Sequence, residues 1–331
     1  MKKLLVIAVA ACMATPAMAD TILFGQLEAS VDSLDGVSKS TTLSSNSSRI
    51  GVKGSVDLDY GLKAIYHAEW GVDTGGDGEY DFKNRDQVVG IAGNFGAVLA
   101  GRHDTPFKLL SGKADMFWTT QLGTSRQITG GSSWDLRPNN VIAYQTPNIS
   151  GFQALAAYVT EDNGNGADAF SINGIYDNGL LMFGAGYENH SAELNGGGDG
   201  IEGIDDSSSA RIIAGFSMAG AKVNIFYQSV FDDIGIEDND NDTYGIGLSY
   251  GIGAGTIKAQ YYQRTVAGEE NNPTLMAAGY DHNLGKNTTV YIQYAQSEEG
   301  LGLGGSGHGE SIDSDIDGDT TGVSIGLRHK F

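Results

Sequence analysis

The chain has 331 residues, a formal net charge of −21, 40% hydrophobic residues, 49 glycines, 15 tyrosines and five prolines. That much glycine excludes a helical protein, because glycine inside a helix costs about 1 kcal/mol relative to alanine, and that many aromatics exclude a disordered one. So acidic a chain also excludes a nucleic-acid partner.

Residues 1–19 read as an export signal. Lys2 and Lys3 form a positive n-region, residues 4–14 a short apolar stretch, and Ala17-Met18-Ala19 an A-x-A cleavage site ahead of Asp20. A competing lipoprotein reading places the acyl group on Cys12, but the apolar stretch before it is very short. Cleavage after Ala19 removes that cysteine, the only one in the chain, so residues 20–331 hold no disulfide. No run of ~20 apolar residues follows, which excludes a transmembrane helix.

Period-2 alternation takes over from there. Residues 23–32 place Gln26, Glu28, Ser30 and Asp32 on one face and Gly25, Leu27, Ala29 and Val31 on the other. The next strand sets Arg49, Gly51, Lys53, Ser55 and Asp57 against Ile50, Val52, Val56 and Leu58. After Asp59-Tyr60-Gly61, Lys63, His67 and Glu69 oppose Leu62, Ala64, Tyr66, Ala68 and Trp70. Later strands repeat the pattern. Lys222, Asn224 and Gln228 alternate with Val223, Ile225 and Tyr227; Thr243, Gly245, Gly247 and Ser249 with Tyr244, Ile246, Leu248 and Tyr250; Lys258 and Gln260 with Ile257, Ala259 and Tyr261. Tight turns at Asn94-Phe95-Gly96, Asn178-Gly179 and Leu284-Gly285-Lys286 alternate with long polar loops. The last strand runs to a terminal aromatic, Phe331. About sixteen such strands suit an all-β, antiparallel transmembrane β-barrel, in which the closed ladder satisfies the backbone and one face of each strand meets water. A soluble sandwich would also alternate, but the export signal and the terminal aromatic strand favour the barrel.

One connection differs from the rest. Residues 103–137 carry Phe107, Leu109, Leu110, Phe117, Trp118, Ile128 and Trp134. A loop this long and apolar is functional rather than merely solvated, and inside a barrel it folds inward and narrows the lumen. By strand phase Arg49, Lys53, Lys63, Arg102, Arg211, Lys222 and Lys258 face that lumen, since a Lys or Arg facing lipid near the midplane costs ~2–4 kcal/mol. Acidic residues cluster in the long loops instead. Asp313, Asp315, Asp317 and Asp319, with Gly318, have the alternation of a calcium loop, but Ser324 stands where an EF-hand has its distal Glu. Asp238, Asp240 and Asp242 repeat the alternation without the glycine. This is at most a weak calcium site; no other cofactor is expected. Gly251-Ile252-Gly253-Ala254-Gly255 lies between strands and is a turn, not a dinucleotide fingerprint. No G-x-S-x-G elbow or ligand-like histidine spacing marks an enzyme.

Four segments carry a family resemblance: Ser47-Ser48-Arg49-Ile50-Gly51-Val52-Lys53-Gly54, Gly101-Arg102-His103-Asp104-Thr105-Pro106-Phe107-Lys108, Tyr144-Gln145-Thr146-Pro147-Asn148-Ile149-Ser150-Gly151-Phe152 and Leu327-Arg328-His329-Lys330-Phe331. In this order they resemble the general-diffusion porins of Gram-negative bacteria over the whole mature chain. The resemblance implies a sixteen-stranded homotrimeric barrel in the outer membrane, with its third extracellular loop folded into the pore, passing ions and small hydrophilic solutes. It also implies that Phe331 belongs to a C-terminal signal read by the barrel-assembly machinery, and that the barrel meets outer-membrane lipid and lipopolysaccharide. On this reading Arg49, Lys53, Lys63, Arg102, Asp104, Asp115 and Arg137 form the pore constriction. Family loops often set an acidic cluster against a basic wall; here Asp104, Asp115 and Asp135 stand among Lys108, Lys113, Arg126 and Arg137, so the usual transverse field does not carry over. An outer-membrane hydrolase, or an adhesive or structural barrel with a plugged lumen, is the alternative.

Overall fold

The computed structural model describes residues 21–35, 41–75, 82–160, 169–190, 207–232, 240–269, 272–299, 303 and 319–331. The export signal and Asp238, Asp313, Asp315 and Asp317 lie outside them.

Seventeen strand segments form one sheet. They are β1 (Ile22–Asp35), β2 (Thr41–Ser45), β3 (Arg49–Asp57), β4 (Lys63–Gly71), β5 (Asn84–Gly93), β6 (Gly96–Arg102), β7 (Val141–Gln145), β8 (Phe152–Val159) and β9 (Ala169–Asp177). The second half comprises β10 (Leu181–His190), β11 (Ser207–Met218), β12 (Ala221–Phe231), β13 (Asn241–Ile252), β14 (Gly255–Val266), β15 (Thr274–Asn283), β16 (Thr288–Glu298) and β17 (Thr320–Lys330). Both β2 and β3 pair with β1. They are two parts of one stave, broken at residues 46–48, where Ser47 takes φ 50° and the Ser48 hydroxyl contacts the Glu28 backbone N–H (2.8 Å) and C=O (2.9 Å). The sheet therefore has sixteen staves. All pairings are antiparallel, and β1 closes on β17 from Gln26↔Lys330 to Asp35↔Thr321. Closure leaves no sheet edge, so the backbone needs neither water nor a partner inside lipid.

The alternation read from the sequence is borne out. On β13 the outward Tyr244, Ile246, Leu248 and Tyr250 are exposed, while the inward Thr243 is fully buried. Gln26, Glu28, Ser30 and Asp32 of β1 are likewise buried on the inner face. No helix among the described residues is long and apolar enough to cross a membrane; strands provide the crossing.

The loop from residue 103 to 140 contains more regular structure than its sequence suggested. Thr105 caps α1 (Pro106–Ala114), its hydroxyl accepting from the Lys108 N–H at 3.2 Å, with Pro106 in the first turn. A 3-10 turn (Ser125–Gln127) and a short helix α2 (Gly131–Trp134) follow. The loop lies on the inner wall. Inward side chains from four strands hold its backbone: Asn173 Nδ2 donates to Pro106 O (2.5 Å), Asn224 Nδ2 to Ala114 O (2.7 Å), Gln260 Nε2 to Gly123 O (2.6 Å) and Gln293 Nε2 to Leu122 O (3.2 Å).

The inner face is correspondingly not polar throughout. Ile213, Phe226, Tyr262, Leu275, Ala277 and Ala295 point inward and pack against Leu110, Phe117, Leu122 and Ile128 of the loop. Each large side chain buried this way is worth about 1.5–3 kcal/mol. Inward glycines leave room for the approach. A Cβ at Gly184 or Gly186 would meet the Leu110 methyls at 2.8 and 2.7 Å, and one at Gly322 would meet Leu122 at 2.8 Å.

Candidate pore constriction

The charged side chains of the lumen gather where the loop departs from and rejoins the wall. On β4, Glu69 is almost fully buried and meets Arg49 Nε at 3.4 Å, Arg85 Nε at 2.5 Å and His67 Nε2 at 3.8 Å. A second chain of pairs starts on β5. Asp86 Oδ1 accepts from Arg137 Nε at 2.8 Å, and Arg137 Nη2 reaches Asp104 Oδ1, also at 2.8 Å. Asp104 then binds Lys108 Nζ at 3.0 Å. Arg102, read from the sequence as inward, instead pairs with Gln87 on the strand phase of the exposed Val98; it donates from Nε to Asn84 O at 3.1 Å and from Nη1 to Asn139 Oδ1 at 3.0 Å. Lys53 stands lower on β3, its ammonium 4.9 Å from the Phe24 ring centroid.

The sequence reading did not include Arg85 or Asp86 in this group, for a geometric reason. Ala68 pairs with Gln87, but Trp70 pairs with Asn84, so Arg85 and Asp86 together stand opposite Glu69. This bulge breaks the period of two and turns both adjacent side chains to the lumen. By strict alternation Arg85 shares a phase with the outward Val89 and Ile91. A charged residue on the lipid phase of a strand was the one signal available.

The loop charges are tuned by their neighbours. Burial opposes ionisation of Asp104, but Arg137 and Lys108 outweigh it and hold its carboxyl far below the usual range. Burial lowers Lys108 to about 8, against the opposing pull of Asp104. For Arg137, burial opposes the charge and the Asp104 and Asp86 carboxylates overcome it, so its guanidinium stays charged.

The structure corrects four further sequence assignments. Lys63 is not at the neck: it pairs with Asp57 at 2.7 Å beside the turn at Asp59–Gly61 and is largely exposed there. Asp115 does not present its charge to the lumen. It is buried within the loop, where its oxygens accept from Phe117 N (2.6 Å), Ser125 N (2.7 Å) and the Thr124 and Ser125 hydroxyls; burial raises its pKa. Arg211, read as a lumen cation, is fully buried and anchors the loop. It donates to Asp135 Oδ1 at 2.8 Å and Phe107 O at 3.0 Å, and stacks 3.9 Å from the Phe107 centroid. Lys258 is also taken up, pairing with Asp281 at 3.1 Å beneath Phe117. Strand phase gives a side chain's face but not what already covers it.

Phe331 closes the barrel seam. Its N–H donates to Gly25 O (3.1 Å), its carbonyl accepts from Gly25 N (2.9 Å), and its ring covers Gly25, where a Cβ would lie 2.3 Å from Cζ. Of the calcium candidates, Asp319 Oδ1 accepts from Glu299 N at 3.2 Å. Asp240 and Asp242 accept from Asp232 N and Tyr227 Oη. Among the described residues no group of three His, Cys, Asp or Glu side chains is arranged to hold a metal.

Comparison with known proteins agrees with this architecture. The family model of Gram-negative porins matches residues 5–300. Outer membrane porin protein 32 of Delftia acidovorans is 30% identical, over 100% of this chain and 99% of its own length. Major outer membrane protein P.IB of Neisseria gonorrhoeae is 26% identical over the full length of both. Among solved structures, an anion-selective porin from Comamonas acidovorans superposes with a TM-score of 0.74 at 25% identity, over 95% of this chain and 100% of its own. A trimer form of OmpT from Vibrio cholerae gives 0.72 at 19% identity, over 95% of this chain and 99% of its own, a likeness of fold alone.

Proposed function

The chain belongs to the family of Gram-negative porins, and on that premise we propose that its water-filled channel prefers anions. As an integral outer-membrane protein of this family it forms a channel for passive diffusion of ions and small hydrophilic solutes. The neck decides the sign. Arg49, Arg85, Lys108 and Arg137 face Glu69, Asp86 and Asp104, four cations against three carboxylates, and Lys53 adds a cation below them. The acidic outer loops, which give the chain its net charge of −21, pull the other way. At ~0.15 M salt the Debye length is ~8 Å, so exposed loop charges farther off act weakly. Charges in a narrow neck between low-dielectric walls act strongly.

The reading extends to assembly and to the absence of chemistry. The barrel is a homotrimer, as in the trimer form of Vibrio OmpT. It acts as a channel rather than an enzyme, in keeping with its family of Gram-negative porins. Its outer face meets lipid and lipopolysaccharide, the seam at Phe331 serves the assembly machinery, and any calcium on the acidic loops is weakly held. Reversal potential across a planar bilayer in a chloride-salt gradient tests the central claim. A potential of anion sign at high salt, weakening as salt falls, is expected; cation sign at all concentrations refutes it.

A further inference from the structure

A cavity of about 570 Å³ lies beside the neck, between α1 and the inner wall of β7, β8 and β9, and reaches down to the turn before Gly151 and to Asp177. A solute entering from the short-turn side meets it without crossing the neck. Its volume is within the range of small-molecule sites, about 300–1,000 Å³.

The groups at its upper end are already engaged. Asp104 and Lys108 pair with each other, and Asp104 with Arg137 as well. The Arg126 guanidinium stands 5.8 Å from the Trp118 ring centroid. The lower end holds charges of both signs. Lys113 is exposed on the last turn of α1. Asp177 shares the inward phase of Asn173 on β9 and is exposed at the strand end, where its Oδ1 accepts from Gly179 N at 3.0 Å. Lys222, half-buried on β12, shares the inward phase of Asn224, whose amide donates to the Lys113 and Ala114 carbonyls at 3.2 and 2.7 Å. It lies within electrostatic reach of both Lys113 and Asp177.

None of these three side chains forms an ion pair among the described residues. Two cations and one carboxylate thus stand near one another without touching, which leaves room between them for a solute. The charges it must carry are the reverse set, two carboxylates and one ammonium. A plain dicarboxylate would set a like charge against Asp177, which is unfavourable. An amino acid with one carboxylate would leave one lysine unmatched. Gln145 and Gln153 make the neighbouring wall polar, as suits a solute charged along its length.

We propose that the lower end of this cavity binds amino dicarboxylates, with Lys113 and Lys222 taking the two carboxylates and Asp177 the ammonium. The site goes beyond the ion preference of the neck and does not depend on it, because it is reached from the short-turn side. The test measures equilibrium binding to the purified full-length protein in detergent by saturation-transfer NMR. Glutamate is compared with glutamine, which lacks one carboxylate, and with glutarate, which lacks the ammonium. A chloride reversal potential of cation sign, with the glutamate preferences intact, would count against the neck alone.

Glutamate should bind saturably and about tenfold more tightly than either analogue, because each analogue forgoes one charge-assisted contact. Asp177→Asn keeps the oxygen that accepts from Gly179 N and removes only the charge. It should abolish the preference over glutarate and leave the preference over glutamine. Lys113→Gln and Lys222→Gln should each weaken glutamate about tenfold and reduce its preference over glutamine, and Lys113→Arg should restore most of the loss. Lys113 and Asp177 are exposed, so neither substitution disturbs a packed core, and those two variants decide even if Lys222→Gln does not fold. Absence of saturable glutamate binding overturns the proposal, as does equal binding of glutamate and glutarate or of glutamate and glutamine. So does a preference over glutarate that survives in Asp177→Asn, or glutamate binding unchanged in Lys113→Gln.

Discussion

Replacing Arg211 by methionine should release the constriction loop without unfolding the barrel. Methionine fills much of the space, but the buried Asp135 carboxylate keeps only the Ser111 hydroxyl, at 3.0 Å, as a donor. Phe107 O also loses its guanidinium donor. Removing one partner of a buried pair costs roughly 3–5 kcal/mol. At about 1.4 kcal/mol per factor of ten, the undocked loop becomes ~10²- to ~10⁴-fold more populated. The strand ladder between β11 and β12, which carries Arg211 opposite Gln228, is untouched. Single-channel recording should therefore show strong open-channel noise and a raised mean conductance, while heat-resistant gel migration stays near that of the parent. The double variant Arg211→Met with Asp135→Asn should regain most of the quiet state, because no buried charge is then left alone. Parental noise in the single variant, or a noisier double variant, would refute the assignment of Arg211 as the loop anchor.

Further outcomes follow from the neck and the seam. With Lys108 near 8, its charge is present below that pH and lost above it. Anion preference should fall between about pH 7 and 9, and Lys108→Met should remove that step from the reversal-potential titration. The same depressed value means that the unfolded chain holds the proton more tightly, so this group's contribution to stability rises with pH from about 8 towards the ordinary 10.5. Glu69→Gln removes the carboxylate shared by Arg49 and Arg85 and should strengthen anion preference; an unchanged reversal potential would place Glu69 outside the conducting field. Gly25→Val would expel the Phe331 ring and should lower the yield of folded barrel, as deletion of Phe331 should, with conductance of the surviving channels unaltered. Normal yield with altered conductance would contradict the seam role.

Much of the fold was legible in the sequence because its signal is local. A strand with one face on lipid and one on water must alternate, so Tyr244, Ile246 and Leu248 revealed their side of the sheet without any knowledge of their partners. The Asp59-Tyr60-Gly61 turn and the terminal Phe331 could be read in the same way. That Asp104 and Arg137 lie together was partly legible, since charges in the long loop have few other places to go.

The remainder depends on contacts between distant residues. Whether an inward cation serves the pore or a packed loop depends on what the loop places over it. Arg211 and Lys258 look like Arg49 in sequence, yet Phe107, Asp135 and Phe117 cover them. Glycines 184, 186 and 322 read as weak strand residues until Leu110 and Leu122 fill the space they leave. Arg85 joined the neck only because β4 and β5 slip by one residue at Glu69. A sequence period reports the two faces of each strand, because solvent and lipid act on every residue in turn. Register slips and loop seating arise from pairings between segments far apart in the chain, and only the closed barrel brings those together.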